Sequence, residues 1–164
     1  MKILDVGCGD AKVKGAIGID CAKLPDVDVV HDLSKYPWPF EDNSFDEIYM
    51  NNIIEHLPNT IKVMEEVHRI LKKGGLLRIQ VVYWNHMHSV SDPQHVTFFS
   101  EHSWDFFTGK RKGYYTNFKF DMVELNYIYD EYAKKFFRSE WLMKRLAYFL
   151  CNVKQGMNVI LKKM

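Results

Sequence analysis

Leu4-Asp5-Val6-Gly7-Cys8-Gly9-Asp10 places two glycines in one tight turn directly behind an apolar run. Glycine at such a turn lets the chain take left-handed conformations and lets a ligand approach the backbone closely. Purely structural turns use the same pair, so the residues that follow decide the reading. A dinucleotide site needs a third glycine, a helix N-terminus for the pyrophosphate, and an acid about 20 residues on. Here Lys12 holds the third-glycine position, and only the six residues Asp10 to Gly15 separate Gly9 from the next apolar run. One helical turn at most fits there, so a pyrophosphate has no proper dipole to bind. Asp20, closing the second apolar run, can still accept both hydroxyls of a ribose. The segment keeps a ribose reader and lacks a phosphate reader, which disfavours a nicotinamide-dependent oxidoreductase.

The elements that would position these groups can be read from periodicity. Lys2–Val6, Ala16–Ile19, Val27–Val30, Phe45–Met50 and Leu76–Val82 are short aliphatic runs of the kind found in buried parallel strands. Asn59–Lys73 is the clearest helix. Ile61, Met64, Val67 and Leu71 share one face, Asn59 is a candidate N-cap, and Gly74 a stop. Beyond residue 100, Asn117–Ile128 reads as a long strand, Tyr132–Leu150 as a helix and Met157–Leu161 as a last strand. The alternation predicts an α/β protein: a Rossmann-like, doubly wound, mostly parallel seven-stranded sheet with an antiparallel edge strand, in one domain over residues 1–164.

Composition narrows the class. Hydrophobic residues make up 47% and charged residues 26%, close to the globular norm, so a packed core is expected. Three scattered cysteines, Cys8, Cys21 and Cys151, do not make a disulfide framework, and no secretory pattern opens the chain, so a cytoplasmic location is expected. Net charge is −4 over residues 1–100 and +5 over residues 101–164. No arginine-rich block, zinc-finger spacing or RNA-binding aromatic motif signals nucleic acid.

Five segments in register resemble the class I S-adenosylmethionine (SAM)-dependent methyltransferases. They are Leu4-Asp-Val-Gly-Cys-Gly9, Gly18-Ile-Asp20, Pro39-Phe-Glu-Asp-Asn-Ser-Phe-Asp-Glu-Ile48, Ile54-Glu-His-Leu57 and Glu66-Val-His-Arg-Ile-Leu-Lys-Lys-Gly-Gly75. The likeness covers about residues 1–83, and Ser91-Asp-Pro-Gln-His-Val-Thr-Phe-Phe-Ser100 is similar to a segment of the smaller members. The resemblance implies SAM as cofactor, a ligand without phosphate, and methyl transfer to an acceptor that the sequence does not identify. It implies that Asp5, Gly7, Cys8 and Gly9 hold the methionine end, largely through backbone. Asp20 would bind the ribose with Cys21 beside the adenine. Asp32 and Leu33 would flank the adenine, and Asn51 and Asn52 would line the sulfonium. A non-catalytic SAM-binding or interaction protein on the same fold is the alternative.

Two departures from the family stand out. Ala11 replaces the usual third glycine of the first motif, and the chain enters its first strand at once, so the helices that usually cover SAM are expected to be missing. Self-association or a partner is the expected compensation, because such a sheet ordinarily buries both faces. The acceptor pocket is expected between Asn51–His56 and the loop Tyr83–Phe99. That loop is rich in Tyr83, Trp84, His86, His88 and His95, which suits a small molecule, a sugar or a lipid headgroup. His95 is the expected catalytic-side residue there. A metal is not expected, since no cysteine or carboxylate completes a recognisable zinc spacing around His86 and His88. Tyr132–Leu150 combines bulky apolar and basic residues. It reads first as a helix covering the sheet, and less readily as a peripheral membrane contact.

Overall fold

The computed structural model describes residues 1–111 and 116–164. Seven strands form one sheet in the order β3-β2-β1-β4-β5-β7-β6. They are β1 (Ile3–Val6), β2 (Ile17–Asp20), β3 (Val29–Val30), β4 (Phe45–Asn51), β5 (Leu71–Val82), β6 (Phe120–Tyr129) and β7 (Lys154–Lys163). The first five pair in parallel, β7 runs antiparallel to β5, and the edge strand β6 runs antiparallel to β7. This is the Rossmann-like arrangement that the alternation predicts.

Register explains which side chains are buried. Leu4, Ile48, Leu77 and Leu161 line up across four strands, as do Val6, Met50, Ile79 and Val159. Both rows point to one face and are shielded from solvent under helix α1 (Thr60–Ile70), whose Val63, Met64, Val67 and Ile70 join the same core. The opposite face carries Glu47, Tyr49, Arg78 and Gln80, all half-buried, with Asn51 and Asn158 exposed. Arg78 pairs with Glu47 at 3.1 Å, and the Tyr49 hydroxyl donates to Glu47 at 3.2 Å. This sheet face is polar and half-exposed, and the short Gly9–Ala16 segment joins β1 to β2 without a helix.

Helix α1 begins as its sequence dictates, with the Asn59 side chain accepting from the Lys62 N–H at 3.1 Å. It ends at Ile70, three residues before the expected stop. Leu71 is fully buried, extended and paired with Phe45, so its apolar side chain belongs to the sheet and not to the helix stripe. Lys163 ties this junction to the last strand by donating to the carbonyls of His68 and Leu71 and to Asn43 Oδ1.

His68 lies against Phe118 and Phe120, with ring centroids 4.9 and 5.2 Å away. Burial, and next the nearby Lys163 ammonium, hold its pKa down at about 4. Because the folded value lies below the unfolded one of about 6.5, the stabilisation from a neutral His68 is complete above that value. It is lost as pH falls toward 4. His68→Phe is expected to flatten this part of the acid profile. Thermal midpoints at pH 7 and pH 4.5 check it, and an unchanged pH difference between variant and parent would remove His68 as the cause.

The helix expected over Tyr132–Leu150 is two short ones, α4 (Glu131–Phe137) and α5 (Glu140–Leu146). Arg138 takes a left-handed conformation at φ 46°, and Ser139 then caps the second helix. The pair does not cover the sheet. Its small core is Tyr129, Ala133, Met143, Ala147 and Val153, while Tyr132, Phe136, Trp141, Tyr148 and Phe149 are exposed. Among the described residues no helix is long and apolar enough to cross a membrane.

Candidate cofactor and acceptor sites

The glycine turn is built by backbone and one carboxylate. Gly7 and Gly9 take φ of 69° and 51°, in the left-handed region that side chains disfavour. A Cβ on Gly7 would lie 2.3 Å from Ile53 Cγ1, so this glycine is required by the segment that leaves β4. A Cβ on Gly9 would meet nothing within 4 Å, so open space lies beside that residue. The Gly9 N–H donates to Asp20 Oδ2 at 3.0 Å, and the Ala22 N–H donates to Oδ1 at 2.9 Å. Each bond uses one of roughly four acceptor positions on the carboxylate. Asp20 therefore shapes the turn and retains capacity for two hydroxyl donors, as a ribose would require.

The other expected cofactor residues divide into groups. Asp5 is buried, accepts the Val13 N–H at 2.7 Å, and has its pKa raised by burial; it holds the loop after the glycines. Cys8 is buried with its Sγ toward Gly18, so only its backbone faces the turn, and burial pushes its thiol up, against a nucleophilic role. Cys21 is exposed beside Asp20. Asp32 follows β3 and accepts both the backbone N–H and the hydroxyl of Ser34, at 3.0 and 2.6 Å, which gives it a turn-capping role. The Ser34 hydroxyl bond holds its carboxyl below the usual range. Leu33 is buried, and its carbonyl accepts from the Trp38 indole at 3.1 Å. Asn51 and Asn52 stand exposed at the mouth of β4, one position beyond the Val6–Met50 pair and hence next to the glycine turn.

Glu66 and Arg69 fix this arrangement, and their function was not apparent from sequence spacing. Glu66 Oε2 accepts the Trp38 N–H at 2.7 Å. Arg69 donates to Glu66, to Asp42 and to the carbonyls of Trp38 and Phe40. Together they anchor the loop after β3, which carries Asp32 and Leu33, to helix α1. The only available sequence signal was the i,i+3 spacing of opposite charges on a helix.

The segment expected on the acceptor side follows the carboxyl end of β5. Tyr83, Trp84, Asn85, Phe98, Glu101 and Lys154 are among the residues lining a cavity of about 480 Å³. Beneath it, Glu101 accepts from the hydroxyls of Tyr83 and Tyr127 at 2.6 and 3.1 Å and lies 3.3 Å from the Lys154 ammonium. That ammonium sits over the Tyr127 ring, 3.8 Å from its centroid, and is almost wholly buried. Burial, and next the Glu101 bond, hold the Tyr83 phenol well above its ordinary range, so it stays protonated.

The histidines separate. His86 is buried, lies 3.4 Å from Asp130, and accepts the His88 N–H through Nδ1, so it supports the loop. His95 does not line the 480 Å³ cavity. It lies with His56, ring centroids 4.6 Å apart, and its Nδ1 is 3.0 Å from the Ser89 carbonyl. Next to them Glu55 is 2% exposed, and neither of its carboxylate oxygens has a hydrogen-bond partner among the described residues.

Comparison with known proteins agrees with this geometry. Residues 20–79 match the family described as "Methyltransferase domain". Phosphoethanolamine N-methyltransferase 2 of Caenorhabditis elegans is 40% identical over 42 residues, 26% of this chain and 10% of that protein. Sterol 4-C-methyltransferase strm-1 of the same organism is 49% identical over 37 residues, 23% of this chain and 11% of that protein. The matched segments thus span about a tenth of these relatives. The fold is shared along the chain with a SAM-dependent methyltransferase of Archaeoglobus fulgidus. There the TM-score is 0.71 at 17% identity, covering 99% of this chain and 86% of the other. The chain therefore carries, over residues 20–79, a segment similar to the methyltransferase-domain family, on a fold shared with that SAM-dependent methyltransferase.

Proposed function

We propose that this protein binds SAM across the carboxyl ends of β1, β2 and β4 and transfers its methyl group to a small molecule with an apolar body. The observation that carries the reading is the glycine turn closed onto Asp20 with no helix N-terminus behind it. When bound, SAM supplies an electrophilic methyl on a sulfonium. The chain's own residues have simpler tasks. Asp20 accepts the ribose hydroxyls. Asp5 and Gly7 to Gly9 shape the turn beside the methionine end. Leu33, held by Trp38, walls the adenine side. Asn51 and Asn52 stand at the strand mouth where the sulfonium would lie. Displacement at a methyl carbon depends chiefly on proximity and alignment, so rigid positioning is the main requirement.

An apolar acceptor is supported by the aromatic lining of the 480 Å³ cavity and by the exposed rings of α4 and α5. The matched segments of sterol and phosphoethanolamine methyltransferases also point to a small acceptor. Calorimetric titration with SAM, its demethylated product S-adenosylhomocysteine, and NAD tests the cofactor. Binding of the first two without NAD is expected, and NAD binding without SAM would overturn the assignment.

His95 belongs to the acceptor side on this reading. It lies in the loop after β5, where its ring engages the Ser89 carbonyl through Nδ1. His95→Ala is expected to lower transfer from labelled SAM to apolar hydroxyl or amine acceptors by at least about tenfold, the lower part of the range for a group acting on a proton. SAM affinity should stay nearly unchanged, because the cofactor contacts lie on other loops. Loss of SAM binding in a folded variant, or transfer at the parental rate, would remove His95 from the acceptor site.

A further inference from the structure

His56, Asp92 and His95 each bring one ligand atom to a common point, with all three atoms within 4.8 Å of one another. They come from two separate segments. His56 closes the 3-10 turn Ile54–His56 behind β4, and Asp92 and His95 bracket the Asp-Pro-Gln-His turn after the short helix α2 (Met87–Ser91). Backbone bonds hold the two segments together: the Val96 and Thr97 N–H groups both donate to the Glu55 carbonyl, at 2.9 and 3.2 Å.

The details suit a metal better than a simple histidine contact. A carbonyl can only accept, so the 3.0 Å contact with Ser89 requires the proton on His95 Nδ1. That leaves the Nε2 lone pair free, and a backbone carbonyl on the distal nitrogen is the usual way a protein orients an imidazole ligand. Asp92 Oδ1 accepts the Gln94 N–H at 2.8 Å, which fixes the carboxylate and leaves Oδ2 available. Independently, Glu55 has both carboxylate oxygens buried and unpartnered among the described residues. A buried polar group without a geometric partner calls for an explanation, and an ion bound beside it is one. Elsewhere His102 and Asp105 make a two-residue contact of the same types at 3.3 Å.

We propose that His56, Asp92 and His95 form a divalent transition-metal site with two nitrogen donors, one oxygen donor and an open position. Zn²⁺ is the best fit to such a set, which in three-ligand form leaves room for water or substrate. The site adjoins the segment that leaves β4. The metal's role rests on the methyltransferase reading above. An acceptor hydroxyl on the metal loses its proton to solvent more readily. Its oxygen then forms the new O–CH₃ bond while the S–CH₃ bond breaks, and the sulfur keeps the electron pair. The products are a methyl ether and the neutral thioether of the cofactor.

Metal binding itself can be measured without an acceptor. The full chain is stripped with chelator and titrated with Co²⁺, whose visible absorption reports ligand geometry, and then with Zn²⁺ in competition. One equivalent is expected with absorption typical of mixed nitrogen and oxygen ligands. His56→Ala, Asp92→Ala and His95→Ala should each weaken it by at least about tenfold, while His102→Gln should leave it unchanged. A stoichiometry near zero, or binding lost equally in His102→Gln, would overturn the site. SAM titration of the same samples separates the two readings. SAM bound without metal overturns the site alone, and metal bound without SAM supports the site while overturning its catalytic role.

Discussion

Asp20→Ala is expected to weaken SAM binding by about 1.5–3 kcal/mol, the range for hydrogen bonds to a charged group. That is a loss on the order of 10- to 150-fold in affinity. Two effects add. The ribose loses its acceptor, and the Gly9 and Ala22 N–H groups lose the carboxylate that organises the turn. Asp20→Asn separates them, because an amide oxygen can still accept from one backbone N–H but offers fewer acceptor positions to the ribose. Asn should therefore bind more tightly than Ala and more weakly than the parent. Asp20 is half-buried at a strand end and outside the apolar core, so both variants should remain folded. Calorimetry of the three proteins, with thermal unfolding beside it, gives the comparison. Parental affinity in a well-folded Ala variant would remove the ribose role.

The residues that are legible in the sequence share a physical property: their conformation or place follows from local backbone geometry. Gly7 and Gly9 announce a left-handed turn, and Asp20 announces a strand end, because the type of each residue restricts its conformation or place. The five parallel strands were legible as short aliphatic runs for the same reason. Long-range pairings were not. Leu71 fits the helix stripe of α1 by spacing, yet its pairing with Phe45 draws it into β5. Arg138 is an ordinary residue for a helix interior, and nothing local marks the left-handed break that divides α4 from α5. Asp32 also caps a turn by accepting from the Ser34 hydroxyl two residues on, a contact that its type and place do not announce. His56 lies nearly forty positions from His95 in sequence, so the triad with Asp92 emerges only when the loop after β5 folds back over the turn after β4.

Glu66→Ala is expected to be the most destabilising of the substitutions considered, at about 3 kcal/mol. Glu66 is 8% exposed and is the acceptor for the Trp38 N–H, which lies in the buried part of the chain. Removing it strands that donor and takes the nearest counter-charge from Arg69, whose pKa is held above its ordinary value first by the bond to Glu66. Breaking a buried pair from one side costs about 3–5 kcal/mol. The lower end applies here, because the Arg69 side chain is 25% exposed and keeps Asp42 and two carbonyls as partners. For a chain of this size that corresponds to a fall in Tm of roughly 6–12 °C. Glu66→Gln keeps an acceptor for Trp38 and should lose much less. The effect should also reach the cofactor. The Trp38 indole donates to the Leu33 carbonyl, so release of its backbone frees the loop proposed to wall the adenine. Glu66→Ala should therefore bind SAM more weakly even well below its Tm, whereas a purely global destabilisation would leave affinity unchanged at low temperature. Differential scanning calorimetry and SAM titration at 15 °C measure the two effects separately. A parental Tm would show that Glu66 does not carry the junction between this loop and α1.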